Sequence, residues 1–336
     1  MNNTTHTIPI ARITPSSITL YHLSTENYTR THKQIENEKN LTRGLFNGYM
    51  SPKTKSKVKR YLDTWIEAVN QIKKSPEAKY LEKVPYLTFV TLTLPSTQKH
   101  DDNKIKRLCL TPFIETLKRK FNVWNYFWRA EAQENGNIHF HLIIDSYIHH
   151  EKLRNEWNIC INKLNYVDEF EAKFGHRNPN STDINSLKNV RSVSAYVIKY
   201  CCKSDGYREI KGRIHGCSDS IRKLMPYEII IEAEDYDMIE KAIEGEKFYI
   251  RQDDCFTYIQ MKVQSFLKRI NSPHLGKMMD NYKKIGAELY TKNTVHPTNY
   301  LQAGKEPILE LAPLEKTQRE ETDELIQFRI MEWDKY

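Results

Sequence analysis

Three side chains in one short stretch have the types and spacing to hold a metal ion. His139 and His141 stand two residues apart in Ile138-His139-Phe140-His141-Leu142. On a strand both imidazoles point to one face, and Ile138, Phe140 and Leu142 point to the other. Imidazoles so placed can converge on one divalent ion while Phe140 anchors the strand in the core. Upstream, Trp128-Arg129-Ala130-Glu131-Ala132 reads as the partner strand, with Asn135-Gly136 at the reversal. The length of the loop then selects the third ligand. A two-residue loop pairs Ala132 with His139 and puts Glu131 on the wrong face. A three-residue loop, with Glu134-Asn135 in a type I turn and Gly136 in the left-handed bulge position, pairs Glu131 with His139. Asn135 and Gly136 fit either loop, but only the second gathers Glu131, His139 and His141, with Arg129 and Gln133 flanking them. Two histidines and a carboxylate leave open positions on an octahedral ion such as Mg2+ or Mn2+, and an open position is what a phosphate oxygen needs. The competing reading is a strand with two solvent-facing histidines beside a salt-bridged glutamate.

A second stretch carries a different chemistry: Ser192-Val193-Ser194-Ala195-Tyr196-Val197-Ile198-Lys199-Tyr200-Cys201-Cys202-Lys203. As a helix it places Tyr196 and Tyr200 on one face, one turn apart, with Lys199 and Lys203 on a neighbouring edge. A phenol beside an ammonium is a candidate nucleophile, because the positive charge favours the phenolate and can hold a phosphate. The alternative is an amphipathic helix whose tyrosine hydroxyls meet solvent.

The elements that must position these groups can be followed along the chain. Residues 1–49 are polar and read as a loosely ordered arm with short strands at most. Ser51-Pro52 starts a helix in which Val58, Leu62, Trp65, Ile66, Val69 and Ile72 recur at helical spacing. Its other face carries Lys53, Lys55, Lys57, Lys59 and Arg60, which suits either solvent or a DNA backbone. Tyr86 to Leu94, bounded by prolines, is a central strand. Asp101 to Phe121 is an amphipathic helix that Pro112 splits or restarts. His149–Leu164 and Tyr166–Phe174 read as helices, Gly175–Thr182 as a loop. Short strands are expected in Gly212–Ser218, Tyr227–Ile231 and Phe248–Met261, and a small helix in Asp235–Gly245. The chain past Ser272 reads as irregular, with an acidic end. This order of strand, helix and paired strands predicts an α+β fold, an antiparallel sheet with helices on one face.

Composition narrows the function classes. The 336 residues carry a net charge of +8 and 20 tyrosines, which permits a nucleic-acid partner and suits stacking on bases. The six cysteines are scattered with no C-x-x-C pair, against a structural zinc site or a disulfide framework and in favour of a reducing compartment. No apolar run approaches a membrane span, and Met1–His6 lacks a charged-then-apolar signal pattern, so an intracellular protein is expected. Gly304-Lys305 is the nearest feature to a phosphate-binding loop and lacks its other residues, so no built-in ATP-driven motor is expected.

Taken together, Phe89-Val90-Thr91-Leu92-Thr93, His139-Phe140-His141 and Tyr196-x-x-Lys199-Tyr200-x-x-Lys203 resemble the three motifs of the HUH endonucleases. More narrowly they resemble the rolling-circle replication initiators of single-stranded DNA phages and small plasmids. The resemblance covers roughly residues 84 to 225, and Gly212-Arg213-Ile214-His215-Gly216-Cys217-Ser218 is similar to a segment that follows the tyrosine helix in phage-type initiators. It implies a ferredoxin-like or RRM-like core, with residues 84–262 as the endonuclease domain, 1–83 as an arm and basic helix, and 263–336 as an appendage, partly helical or disordered. It further implies His139, His141 and Glu131 as ligands of Mg2+ or Mn2+, Tyr196 as nucleophile, Tyr200 as a second one and Lys199 as their assistant. Arg129, Gln133, Lys203 and Arg213 would contact DNA. The implied partners are single-stranded or supercoiled origin DNA, a host helicase and a DNA polymerase, in the cytoplasm of a bacterial host. Mobilisation relaxases share the chemistry but usually place the tyrosine before the histidines. HUH transposases share the order but are short. A non-catalytic nucleic-acid-binding module is the remaining alternative.

Overall fold

The computed structural model describes residues 7–24, 32–33, 36, 49–186, 207–244, 248–252 and 256–291. Two five-stranded antiparallel sheets, flanked by helices, make an α+β fold. The strands are β1 (Thr7–Thr14), β2 (Ser17–Ser24), β3 (Thr88–Leu92), β4 (Tyr126–Ala132), β5 (Ile138–Ile144), β6 (Thr182–Ser186), β7 (His215–Cys217), β8 (Tyr227–Ile230), β9 (Tyr249–Gln252) and β10 (Phe256–Gln260). One sheet runs β6-β3-β5-β4-β7 and carries the histidine pair at its centre; the other runs β8-β1-β2-β10-β9.

The central strand β5, Ile-His-Phe-His-Leu-Ile-Ile, is buried along its whole length, because helices pack on both faces of its sheet. On the face away from the histidines, Phe140 meets Trp157 of α4 (His150–Asn162), which meets Phe113 of α3 (Thr111–Phe121), in edge-to-face contacts with centroids 6.1 and 5.3 Å apart. Pro112 does restart the helix that Asp101 caps: α2 (Asp102–Ile105) passes through a π turn, Lys106–Leu110, into α3.

The face that bears the histidines is covered at one end by α1 (Pro52–Lys74), capped by Ser51, whose hydroxyl accepts from the Thr54 amide. Tyr61 of α1 lies 6.2 Å, centroid to centroid, from Phe127, which alternation puts on the same face as Arg129 and Glu131. Trp65 donates its indole N–H to the Tyr290 hydroxyl, and the Tyr290 ring stacks on Trp124, just before β4. Lys73 lies over Tyr86, just before β3. Helix α1 therefore runs antiparallel to β4, its C-terminal end at the sheet end far from the histidines.

The second sheet joins distant parts of the chain. The hairpin β1–β2 pairs with β8 on one side and β10 on the other, so this sheet draws strands from both sides of residue 84. The remaining helices are α5 (Tyr166–Phe174), α6 (Asp219–Arg222), α7 (Ala233–Ile243), α8 (Val263–Arg269) and α9 (His274–Tyr290). Helix α9 falls in the chain that the sequence pattern left irregular. It buries Met278, Tyr282, Gly286 and Tyr290 at four-residue spacing; a glycine and two tyrosines in that register hide the apolar stripe. Gly286 is needed there because a Cβ would lie 2.7 Å from the Ala68 carbonyl oxygen of α1. Strand β6 also departs from expectation: Thr182-Asp-Ile-Asn-Ser186 has one apolar side chain and forms a strand because β3 offers it an unpaired edge. Among the described residues no helix is long and apolar enough to cross a membrane.

Candidate metal centre

Hairpin β4–β5 closes through a three-residue loop. The Gln133 amide donates to the Asn137 carbonyl, the Gly136 amide donates to the Gln133 carbonyl, and Gly136 sits at φ +82°. That left-handed position is why a glycine ends the turn. The register follows: Glu131 opposes His139, and Arg129 opposes His141.

Glu131, His139 and His141 each direct one ligand atom into a common space, all within 4.8 Å of one another. His141 Nε2 lies 2.7 Å from Glu131 Oε1. The two imidazoles meet edge-on with centroids 4.5 Å apart. His141 stacks on Phe89, and its Nδ1 lies 3.4 Å from the Thr91 hydroxyl. Both histidines are buried, at 8% and 5% exposure, so their rings are held by packing rather than by solvent.

The electrostatics suit a cation. Burial, and then the neighbouring His141, push His139 down to about 4 against the opposing pull of Glu131, so it is a neutral base at neutral pH. Burial pushes the Glu131 carboxyl up, but the hydrogen bond from His141 and the charges around it outweigh this and leave it below the usual carboxylate range. His139 Nδ1 is buried with no hydrogen-bond partner among the described residues. A buried imidazole nitrogen beside a carboxylate and a second imidazole is the donor set of a divalent-cation site. The residues present thus fit Mg2+ or Mn2+.

Of the other expected site residues, Arg129 is 4% exposed and lies in the sheet between His141 and His215. Its charge helps to lower the Glu131 carboxyl. Gln133 follows the end of β4 and is half-buried. Arg213 is exposed, and its carbonyl accepts from the Lys106 ammonium at 2.9 Å. Tyr196, Lys199, Tyr200 and Lys203 lie outside the described residues.

Two further features escaped sequence reasoning. His215, on β7, opposes Arg129 and shares the ligand face; burial, Arg129 and Arg213 push it down to about 4. Its glycine-flanked strand was visible, but its partner strand was not. The second feature is a charged node beneath β5. Asp102 accepts Arg208 through both oxygens, at 2.7 and 2.8 Å, and accepts Gln98 at 2.9 Å. Arg208 Nε donates to the Gly136 carbonyl, and Gln98 accepts from the Ile138 amide, so the node grips both ends of the loop that precedes His139. Burial raises the Asp102 carboxyl, but these bonds outweigh it and bring it to about 2.

An antiparallel α+β core that presents two histidines and a glutamate from one hairpin is the class of a metal-assisted phosphate-handling protein. Residues 87–205 match the family model described as Replication-associated protein ORF2. The match spans β3 to β6, including the triad, and continues through Tyr196 and Tyr200; it supports a replication-associated protein. No curated protein and no solved structure matches the chain.

Proposed function

We propose that this chain is a rolling-circle replication initiator of the HUH endonuclease type, cutting one strand of origin DNA by tyrosine attack. The observation that carries the reading is the convergence of Glu131, His139 and His141 on one space within the segment that matches the replication-associated family. These three residues would hold Mg2+ or Mn2+. When bound, the ion supplies Lewis-acid polarisation of the scissile phosphate.

The chain's own groups do the rest. Tyr196 attacks phosphorus through its phenolic oxygen. A 5′-phosphotyrosine ester forms as the bond to the 3′ oxygen breaks, the phenolic proton is lost and the departing oxygen takes one to become a 3′-hydroxyl. Lys199 favours the phenolate, and Tyr200 serves as a second nucleophile in the reverse transfer. Gln133, Lys203 and Arg213 hold the strand, and Arg129 adds its charge from within the sheet. The ester conserves the bond energy, so a later 3′-hydroxyl can reseal the strand, and the first 3′-hydroxyl primes synthesis by a host polymerase behind a host helicase in the bacterial cytoplasm.

The test is incubation with supercoiled plasmid bearing the native origin and Mn2+. The expected products are nicked circles with protein attached at the 5′ end. Tyr196→Phe should lose most of the adduct, and His139→Ala or His141→Ala should abolish nicking. DNA binding with no nick and no adduct at any divalent ion would replace this reading with a non-catalytic binding module. A single strand transfer without repeated rounds would favour a relaxase or transposase.

A further inference from the structure

We infer that the first three turns of α1 form a phosphate-binding rail for the same DNA strand that the metal centre addresses. The inference rests on the endonuclease reading for the identity of the strand, and on geometry for the rail itself. Tyr61 anchors α1 over Phe127, and the helix runs antiparallel to β4, so its N-terminal end points along the sheet toward Glu131. From Tyr61 back to Pro52 the helix rises about 13 Å, and from Phe127 to Glu131 the strand advances about 13 Å. The first turn thus comes level with the triad, on the face of the sheet where the triad opens.

This end of the helix carries Lys53, Lys55, Lys57, Lys59 and Arg60, and no acidic residue precedes Asp63. Lys57 is exposed, and Lys53, Lys55 and Lys59 are half-buried. None of the four lysines is ion-paired with a described residue. Helix stability does not account for them. The positive end of the macrodipole favours acidic side chains, and Lys53/Lys57 and Lys55/Lys59 are like-charge pairs one turn apart. Basic residues concentrated where the helix itself disfavours them, beside a centre built for a phosphate, are complementary to a polyanion. Spaced along one helix, they fit the backbone of one strand within a few nucleotides of the scissile phosphate.

The test uses the full chain with Lys53→Gln, Lys55→Gln, Lys57→Gln and Lys59→Gln combined. Glutamine keeps helix propensity, and an unchanged melting temperature and unchanged Mn2+ affinity show that fold and triad are intact. Binding to a fluorescent single-stranded oligonucleotide is followed by anisotropy in chelator over a series of salt concentrations. Each lost phosphate contact removes about 0.7 from the slope of log affinity on log salt, so the variant should be shallower by about 2–3 and bind more than tenfold weaker at low salt. Lys118→Gln with Lys120→Gln, on α3 against the opposite face, should change neither. A variant with the wild-type slope, or a wild-type chain that binds no DNA, overturns the rail. Salt-sensitive binding through these lysines without any nicking upholds the rail and overturns the endonuclease reading instead.

Discussion

His139 and His215 show what the sheet does to single residues. Both are held near 4 when folded, against 6.5 for an exposed imidazole. Between those values the unfolded chain binds protons that the folded chain refuses, so stability falls as pH drops from about 6.5 to about 4, and these two groups cause no further loss below that. Each should contribute on the order of 2 kcal/mol to the change. Urea unfolding in chelator at pH 7 and pH 4.5 measures it, and His215→Gln should remove about half of the difference. A wild-type protein equally stable at both values would contradict the burial argument. The role of the metal-facing histidines was legible from alternation alone, because period two is a local property of the chain. The setting of His215 was not: whether Gly-Cys after it meets Trp128 or solvent depends on a pairing with β4, more than eighty positions away, that no local pattern encodes.

At the scale of elements, the metal hairpin depends on the conformation of its turn. Gly136 has open space where a Cβ would stand, yet its φ of +82° is disfavoured for any other residue. Gly136→Ala should therefore cost about 1 kcal/mol from backbone strain alone, and Gly136→Asn less. Gly216→Ala fails for another reason, since its Cβ would lie 2.6 Å from the Trp128 indole nitrogen. Arg208→Met would leave the carboxylate of Asp102, whose side chain is 2% exposed, without its bidentate partner, at a cost of roughly 2–3 kcal/mol. Denaturant titration of the four variants checks the order. The turn was readable because Asn135-Gly136 names its own geometry. The Arg208–Asp102 node was not, because the partners are far apart in the chain and neither sits in a recognisable pattern.

Over the whole molecule, Tyr290 ties the C-terminal helix to α1 and to the first sheet. Tyr290→Phe would leave the Trp65 indole N–H buried without its acceptor, costing about 1–3 kcal/mol. Calorimetry should show the loss within a single transition, because α1 packs on α9 and on the sheet alike. A separate early transition would mean that the C-terminal helices melt by themselves. Helix α9 escaped the sequence pattern because its buried positions include Gly286, chosen for close approach to α1 rather than for hydrophobicity.

The second sheet also sets a timetable for making the protein. Hairpin β1–β2 leaves the ribosome first, yet the strands that flank it, β8 and β10, are encoded about 200 residues later, a delay of about 10–40 s at bacterial rates of synthesis. Through that interval a hairpin with two open edges, and with Ile10, Ile13, Ile18 and Leu20 destined for burial, has nothing to pair with. A nascent chain so arranged is a client for a chaperone at the tunnel exit, and a copy crowded on the same messenger is its most available wrong partner.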